Sequence, residues 1–147
     1  MFGRTQLETP QAARRSALDL LARREHSRRE MLRKLAQRGA PSEMAEAVVD
    51  QLEIDGLLSD ERFCEAYVHA RSQRGIGPQR LREELRERGV AQQLIESQLV
   101  ELSRDWEAQA QAVFSKRFPE GPAQDPKERA RQLRFMQYRG FADFQLD

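Results

Sequence analysis

The side chains with the greatest capacity for chemistry in this 147-residue chain are its arginines. Between Arg14 and Arg38 nine Arg or Lys residues face three acids, a net of +6. Between Arg71 and Arg88 six arginines face three glutamates, a net of +3. Between Pro41 and Glu65 the sign inverts, with Arg62 alone against eight acids, a net of −7. The overall charge of +1 therefore conceals alternating blocks. Residues three to four apart share a helix face, as Arg24 and Arg28 would. Like charges at this density repel one another, so the basic blocks point to an anionic partner. The plain alternative is a solvated helix face, since a single exposed charge usually contributes little. The inference rests on the blocks rather than on any one residue.

The other reactive groups point to no reaction. His26 sits at a helix junction and reads as a local hydrogen-bonding residue, and His69 as a surface residue. Cys64 follows Phe63 on an amphipathic helix and reads as a small buried hydrophobe. Two histidines and one cysteine make a poor zinc inventory, and one cysteine forms no internal disulfide. Gly75-Ile76-Gly77-Pro78 lacks the Gly-Lys-Ser/Thr ending and the preceding strand of a phosphate loop. No nucleophile–base pair, carboxylate dyad or metal cluster emerges, so no catalytic, cofactor or metal site is expected, and the chain is not expected to be an enzyme.

The elements that must carry the arginines are helices. Charged residues make up 33% of the chain and hydrophobic ones 39%, and the mean hydropathy is −0.80. Good helix formers dominate and β-branched runs are missing. No apolar stretch approaches the ~18 residues of a membrane span. Met1-Phe2-Gly3-Arg4 leads into no apolar leader segment, so a cytoplasmic location and no membrane partner are expected.

An internal repeat organises the helices. Shifting by 50 positions aligns Arg24 with Arg74, Leu35 with Leu85, and Arg38-Gly39 with Arg88-Gly89; Arg139-Gly140-Phe141 repeats the same step again. Each unit reads as three helices. Thr9-Pro10 opens the first, and Ala13, Ala17, Leu18, Leu20 and Leu21 supply its helical spacing. Ser27-Arg28-Arg29-Glu30 is a capping box for the second, which carries Met31, Leu32 and Leu35 and stops at Gly39. The third runs from Pro41 to Gly56. The second unit starts at Ser59 with a stripe of Phe63, Ala66, Tyr67 and Ala70. Its later helices carry Leu81 and Leu85, then Leu94, Ile95, Leu99 and Leu102. In the third unit Trp106 and Phe114 read as core, and Asp125-Pro126 caps the next helix. The expected fold is all-α: three tandem three-helix repeats forming an elongated, curved solenoid whose last helix is short or truncated. Its parts are a flexible N-terminus (1–9), repeats over 10–58 and 59–105, and an incomplete repeat over 106–147. A unit of under ~50 residues is marginal alone, so neighbours must support one another.

Ala17 to Leu35, ALDLLARREHSRREMLRKL, resembles the opening signature of the RecX family, the regulatory proteins of the RecA recombinase. Asp60-Glu61-Arg62-Phe63 with Tyr67, Arg71 and Arg74-Gly75-Ile76-Gly77-Pro78 resembles its central signature. Arg88-Gly89-Val90 and Arg139-Gly140-Phe141 match its repeated turns. The resemblance runs from about residue 13 onward and departs where the last helix would be completed. It implies nine helices and a regulator, mainly an inhibitor, of RecA. Such a protein lies in the groove of the RecA–DNA filament and modulates ATP hydrolysis and strand exchange in recombination and repair. Partners would be the RecA filament and, weakly and electrostatically, single- and double-stranded DNA; the chain would act as a monomer. Contact residues would be Arg24, Arg28, Arg29, Arg33 and Lys34 in the first unit, and Arg71, Arg74, Arg80 and Arg82 in the second. Reversing Arg71, Arg74 and Arg82 together is expected to weaken filament binding with helicity intact.

The competing reading is a helical repeat protein that binds DNA without sequence preference through basic stripes and without a RecA contact. A helix-turn-helix fits poorly, because the helix after the Gly39 turn is acidic and phosphate would repel it.

Overall fold

The computed structural model describes the backbone of residues 7–101 and 103–146 and the side chains of 7–101 and 105–146. All regular structure among these residues is helical. The elements are α1 (Pro10–Leu21), α2 (Arg28–Gln37), α3 (Ser42–Ile54), α4 (Asp60–Gln73), α5 (Pro78–Glu87), α6 (Gln92–Glu101), α7 (Ser103–Arg117) and α8 (Pro126–Tyr138). The expected caps form. Thr9 accepts from the Ala12 N–H with Pro10 at the first helical position, Ser27 and Glu30 complete both halves of the capping box, and Asp125 accepts from the Glu128 N–H. Each of these satisfies a donor that the first helical turn leaves unpaired.

The chain divides into two compact units. One runs to Ala66 and takes in the turn Arg88–Val90; the other holds Tyr67–Glu87 and the chain from Ala91 onward. In the first, α1, α2 and α3 enclose Ala13, Ala17, Met31, Leu35, Val49 and Leu52, all fully buried. In the second, Leu81, Leu85, Ile95 and Leu99 are buried, and Phe114, Met136 and Phe141 form a further cluster with Trp106, Phe118, Phe135 and Phe144 around it. The loop between α7 and α8 is pinned by buried Gln132. Its side chain accepts from the Ala123 N–H at 3.0 Å and donates to the Gly121 carbonyl at 3.2 Å.

Four expectations are corrected or narrowed. The buried stripe of α4 is Phe63, Cys64 and Val68, while Ala66 and Ala70 face solvent. The α4 stripe is rotated because Tyr67 and Arg71 point to a polar cluster on α5 rather than into apolar core. Leu18 is 38% exposed, outside the α1 core stripe. No ninth helix forms among the described residues. After Gly140 the chain turns, and Phe144 folds back with its ring 5.2 Å from that of Phe114. Of the stretch 1–9, residues 1–6 lie outside the described residues; Leu7 is buried and donates its N–H to the Arg38 carbonyl at 3.2 Å. Leu102 lies outside the described residues.

The repeated Arg-Gly-apolar step does more than stop a helix. Gly39, Gly89 and Gly140 all take positive φ, at 91°, 82° and 101°, a region that favours glycine. In every case the carbonyl of the preceding arginine accepts a hydrogen bond from an upstream segment: Arg38 from Leu7, Arg88 from the Ser27 hydroxyl at 2.8 Å, Arg139 from the Gly77 N–H at 2.7 Å.

Candidate interaction surface

In the first unit the arginines gather around the start of α2. Ser27, fully buried, accepts from the Glu30 N–H at 3.1 Å, and Glu30 accepts from the Ser27 N–H at 3.2 Å. Glu30 also receives Arg24 at 3.0 Å and Arg88 at 3.6 Å. The Arg28 N–H donates to Asp60 at 2.7 Å, and its guanidinium pairs with Asp50 at 2.8 Å and with Glu53. Desolvation opposes the charge on Arg28, but the bonds to Asp50 and Glu53 outweigh it and raise its pKa further. Arg62 reaches Glu25 at 3.0 Å. His26 is buried and donates Nδ1–H to the Arg24 carbonyl at 3.1 Å; burial and then the Arg24 charge lower its pKa. Cys64 is fully buried, and burial with Asp60 and Glu65 nearby pushes its thiol up to about 11, so it is an inert thiol.

The acidic block is thus not a separate face. Asp50, Glu53 and Asp60 serve as internal partners of Arg28. Of the nominated residues, the first unit leaves outward Arg33 and Lys34, exposed and without an ion pair among the described residues, and exposed Arg29, whose side chain lies against Gly89.

In the second unit one carboxylate organises three partners. Glu84 on α5 accepts from Tyr67 Oη at 2.7 Å and from Arg80 Nε at 2.9 Å. It is also gripped in bidentate fashion by Arg71, at 3.1 Å and 2.9 Å. Burial pushes the Glu84 pKa up, but the bonds from Arg71, Tyr67 and Arg80 overcome it and hold it at about 2. Charge-assisted, forked bonds of this kind are the strong ones. Arg80 continues to the Tyr138 carbonyl at 3.3 Å and lies 4.8 Å from the Tyr138 ring centroid. Arg82 forks onto Glu96 at 2.8 Å and 3.2 Å. Arg74 is exposed; its carbonyl accepts from Arg139, and its side chain has no partner among the described residues.

The nine sequence-nominated residues therefore divide. Arg28, Arg71, Arg80 and Arg82 are engaged inside the fold, Arg24 is paired but half exposed, and Arg29, Arg33, Lys34 and Arg74 face solvent. Sequence reasoning missed Glu84 as the hub. The i,i+4 spacing of Arg80 and Glu84 was a usable signal. The reach of Tyr67 and Arg71 to the same carboxylate depends on how α4 packs on α5.

Helices in threes, closed by a turn that docks on an earlier segment, define an all-helical repeat architecture. Sequence models for the first, second and third three-helix domains of RecX match residues 13–52, 59–99 and 105–142. The chain belongs to the RecX family. It is 49% identical over 136 residues to the regulatory protein RecX of Pseudomonas entomophila, covering 92% of this chain and 88% of that one. It is 50% identical over 135 residues to that of Pseudomonas putida, covering 92% and 86%. The fold matches the crystal structure of RecX from Lactobacillus salivarius with a TM-score of 0.75 at 16% identity, over 91% of this chain and 89% of that chain. A second crystal structure of a regulatory protein RecX aligns with a TM-score of 0.74 at 21% identity, over 90% of this chain and 66% of that chain. The relatives bear the name of regulatory proteins, not of enzymes. No helix among the described residues is long and apolar enough to cross a membrane.

Proposed function

We propose that the chain binds the RecA–DNA filament as a monomer in the cytoplasm and restrains its ATP hydrolysis and strand exchange. The observation that carries this is the succession of three RecX domain matches along a chain about half identical to regulatory proteins of that name. In this reading Arg33 and Lys34 on α2 and Arg74 after α4 make the electrostatic attachment, with exposed Arg29 and half-exposed Arg24 beside them. Arg28, Arg71, Arg80 and Arg82 set the shape that presents them. An unpaired cation pays no internal cost when it meets phosphate or carboxylate, whereas a paired one must first leave its partner. Reversing Arg71, Arg74 and Arg82 together therefore confounds binding with folding; reversing Arg33, Lys34 and Arg74 does not.

The test adds the purified protein to preformed RecA filaments on single-stranded DNA and follows ATP hydrolysis, with DNA affinity of the protein alone measured at the same salt. Suppression at concentrations too low to coat the DNA is the expected result. Suppression only where the protein alone saturates the DNA, falling steeply with salt, marks instead a sequence-independent DNA-binding repeat protein.

A further inference from the structure

A cleft of about 650 Å3 within the second unit lies where the C-terminal end of α4 meets α7 and α8. Four cations line it, Arg74, Lys116, Arg117 and Arg139, and no carboxylate does. Its apolar wall is Val113 and Phe135. Within the same lining, Gln109 Oε1 is fully buried and has no hydrogen-bond partner among the described residues. Volume and mixed lining are those of a ligand site. A concentration of positive charge without an acid is costly unless an anion enters it.

We propose that this cleft binds an acidic peptide segment carrying one apolar side chain. Carboxylates meet the four cations, and the apolar side chain lies on Val113 and the edge of Phe135. One observation favours a peptide over nucleic acid. The Arg117 and Arg139 guanidinium groups already lie over the Phe135 ring, 5.5 Å and 5.2 Å from its centroid. A nucleobase stacking there has to displace one of them.

The test needs no RecA, so its outcome is separate from that of the filament assay. The full-length protein is titrated into a fluorescein-labelled synthetic peptide of Asp and Glu with one central Leu, and anisotropy is read at low salt. Saturable binding is expected. Replacing the peptide's Leu by Ala weakens it, and Lys116→Glu or Arg74→Glu each weakens it by about tenfold or more. Both residues are exposed and free of internal ion pairs, so circular dichroism should match the parent; should either variant misfold, Ala112→Asp places a negative charge in the same lining. No saturable binding overturns the proposal, as does equal affinity for the Leu and Ala peptides. If oligothymidylate of equal charge displaces the peptide and Lys116→Glu abolishes that displacement, the cleft is a phosphate site and the proposal is wrong.

Discussion

The start of α2 and the start of α5 occupy the same place in successive repeats, and each receives the Arg-Gly-apolar turn of a later one. They accomplish this by different chemistry. At α2 the contact is a side chain: the Ser27 hydroxyl caps its own helix and donates to the Arg88 carbonyl. At α5 the equivalent position is Gly77, and backbone meets backbone, with the Gly77 N–H on the Arg139 carbonyl and the Gln79 N–H on Gly140 at 3.0 Å. The charges are inverted too. The repeat sets Glu30 and Lys34 against Arg80 and Glu84. Where α2 has its acid in the first turn, collecting Arg24 and Arg88, α5 has an arginine there and places the acid one turn later. The docking of the turn is what repeats; the polar chemistry around it varies freely. Lys34, standing where α5 has its hub glutamate, is exposed and has no ion-pair partner among the described residues.

The largest effect should come from Gly77. A Cβ there would lie 2.6 Å from the Gly140 carbonyl oxygen and 2.7 Å from the Phe141 ring. Backbone cannot yield as a side-chain tip does. Gly77→Ala is expected to destabilise the second unit by about 3 kcal/mol, seen as an early transition in urea unfolding. At the matching position in the first unit, Ser27→Ala adds no atoms and removes a hydroxyl. It loses the cap and the hydroxyl's bond to the Arg88 carbonyl, for about 1–2 kcal/mol. If the two variants cost the same, the contrast between a side-chain joint and a backbone joint is wrong.

Glu84 comes between them. Glu84→Gln keeps the shape but strips the charge from a carboxylate shared by Arg71, Arg80 and Tyr67, at a cost of about 2 kcal/mol at neutral pH. The pH dependence follows from the sign of the shift. The folded-state pKa is depressed to about 2 from the ordinary 4.5, so the native state holds the ionised form. The stability this confers is complete above pH 4.5 and is lost as the pH falls towards 2. The stability gap between parent and Glu84→Gln, measured by urea titration at successive pH values, should narrow across that window. A gap constant down to pH 2 would remove Glu84 as the hub.

Much of this was legible in the sequence, and what was not has a physical cause. The capping box, the proline starts and the glycine stops are local signals, and each formed as read. The repeat of Arg-Gly-apolar turns was visible too, but only as a helix stop. Its docking role requires knowing which upstream segment arrives, and Leu7, Ser27 and Gly77 share no side-chain type. The α4 stripe was misassigned by about one residue because Ala66 and Ala70 count as apolar by composition but are too small to demand burial, while Tyr67 carries a hydroxyl that sought Glu84. Charge blocks were read correctly as blocks and incompletely as surfaces. A count along the chain cannot tell that Asp50 and Glu53 neutralise Arg28 from the neighbouring helix.

The smallest expected effect on stability is the most informative about function. Arg33, Lys34 and Arg74 are exposed and make no internal ion pair among the described residues. Reversing all three should therefore change the unfolding midpoint by the equivalent of no more than about 0.5 kcal/mol per site. Charge reversal at the engaged residues Arg28 and Arg82 should cost more in stability, since each leaves glutamate or aspartate carboxylates facing a new like charge. Binding to RecA filaments should show the opposite ranking: the free set loses most of its affinity at low salt, whereas reversal at Arg82 alone loses little once the fraction folded is matched. If the free set folds and binds like the parent while the engaged set binds poorly when fully folded, then the ion pairs open on binding, and availability in the isolated chain is not what selects the contact residues.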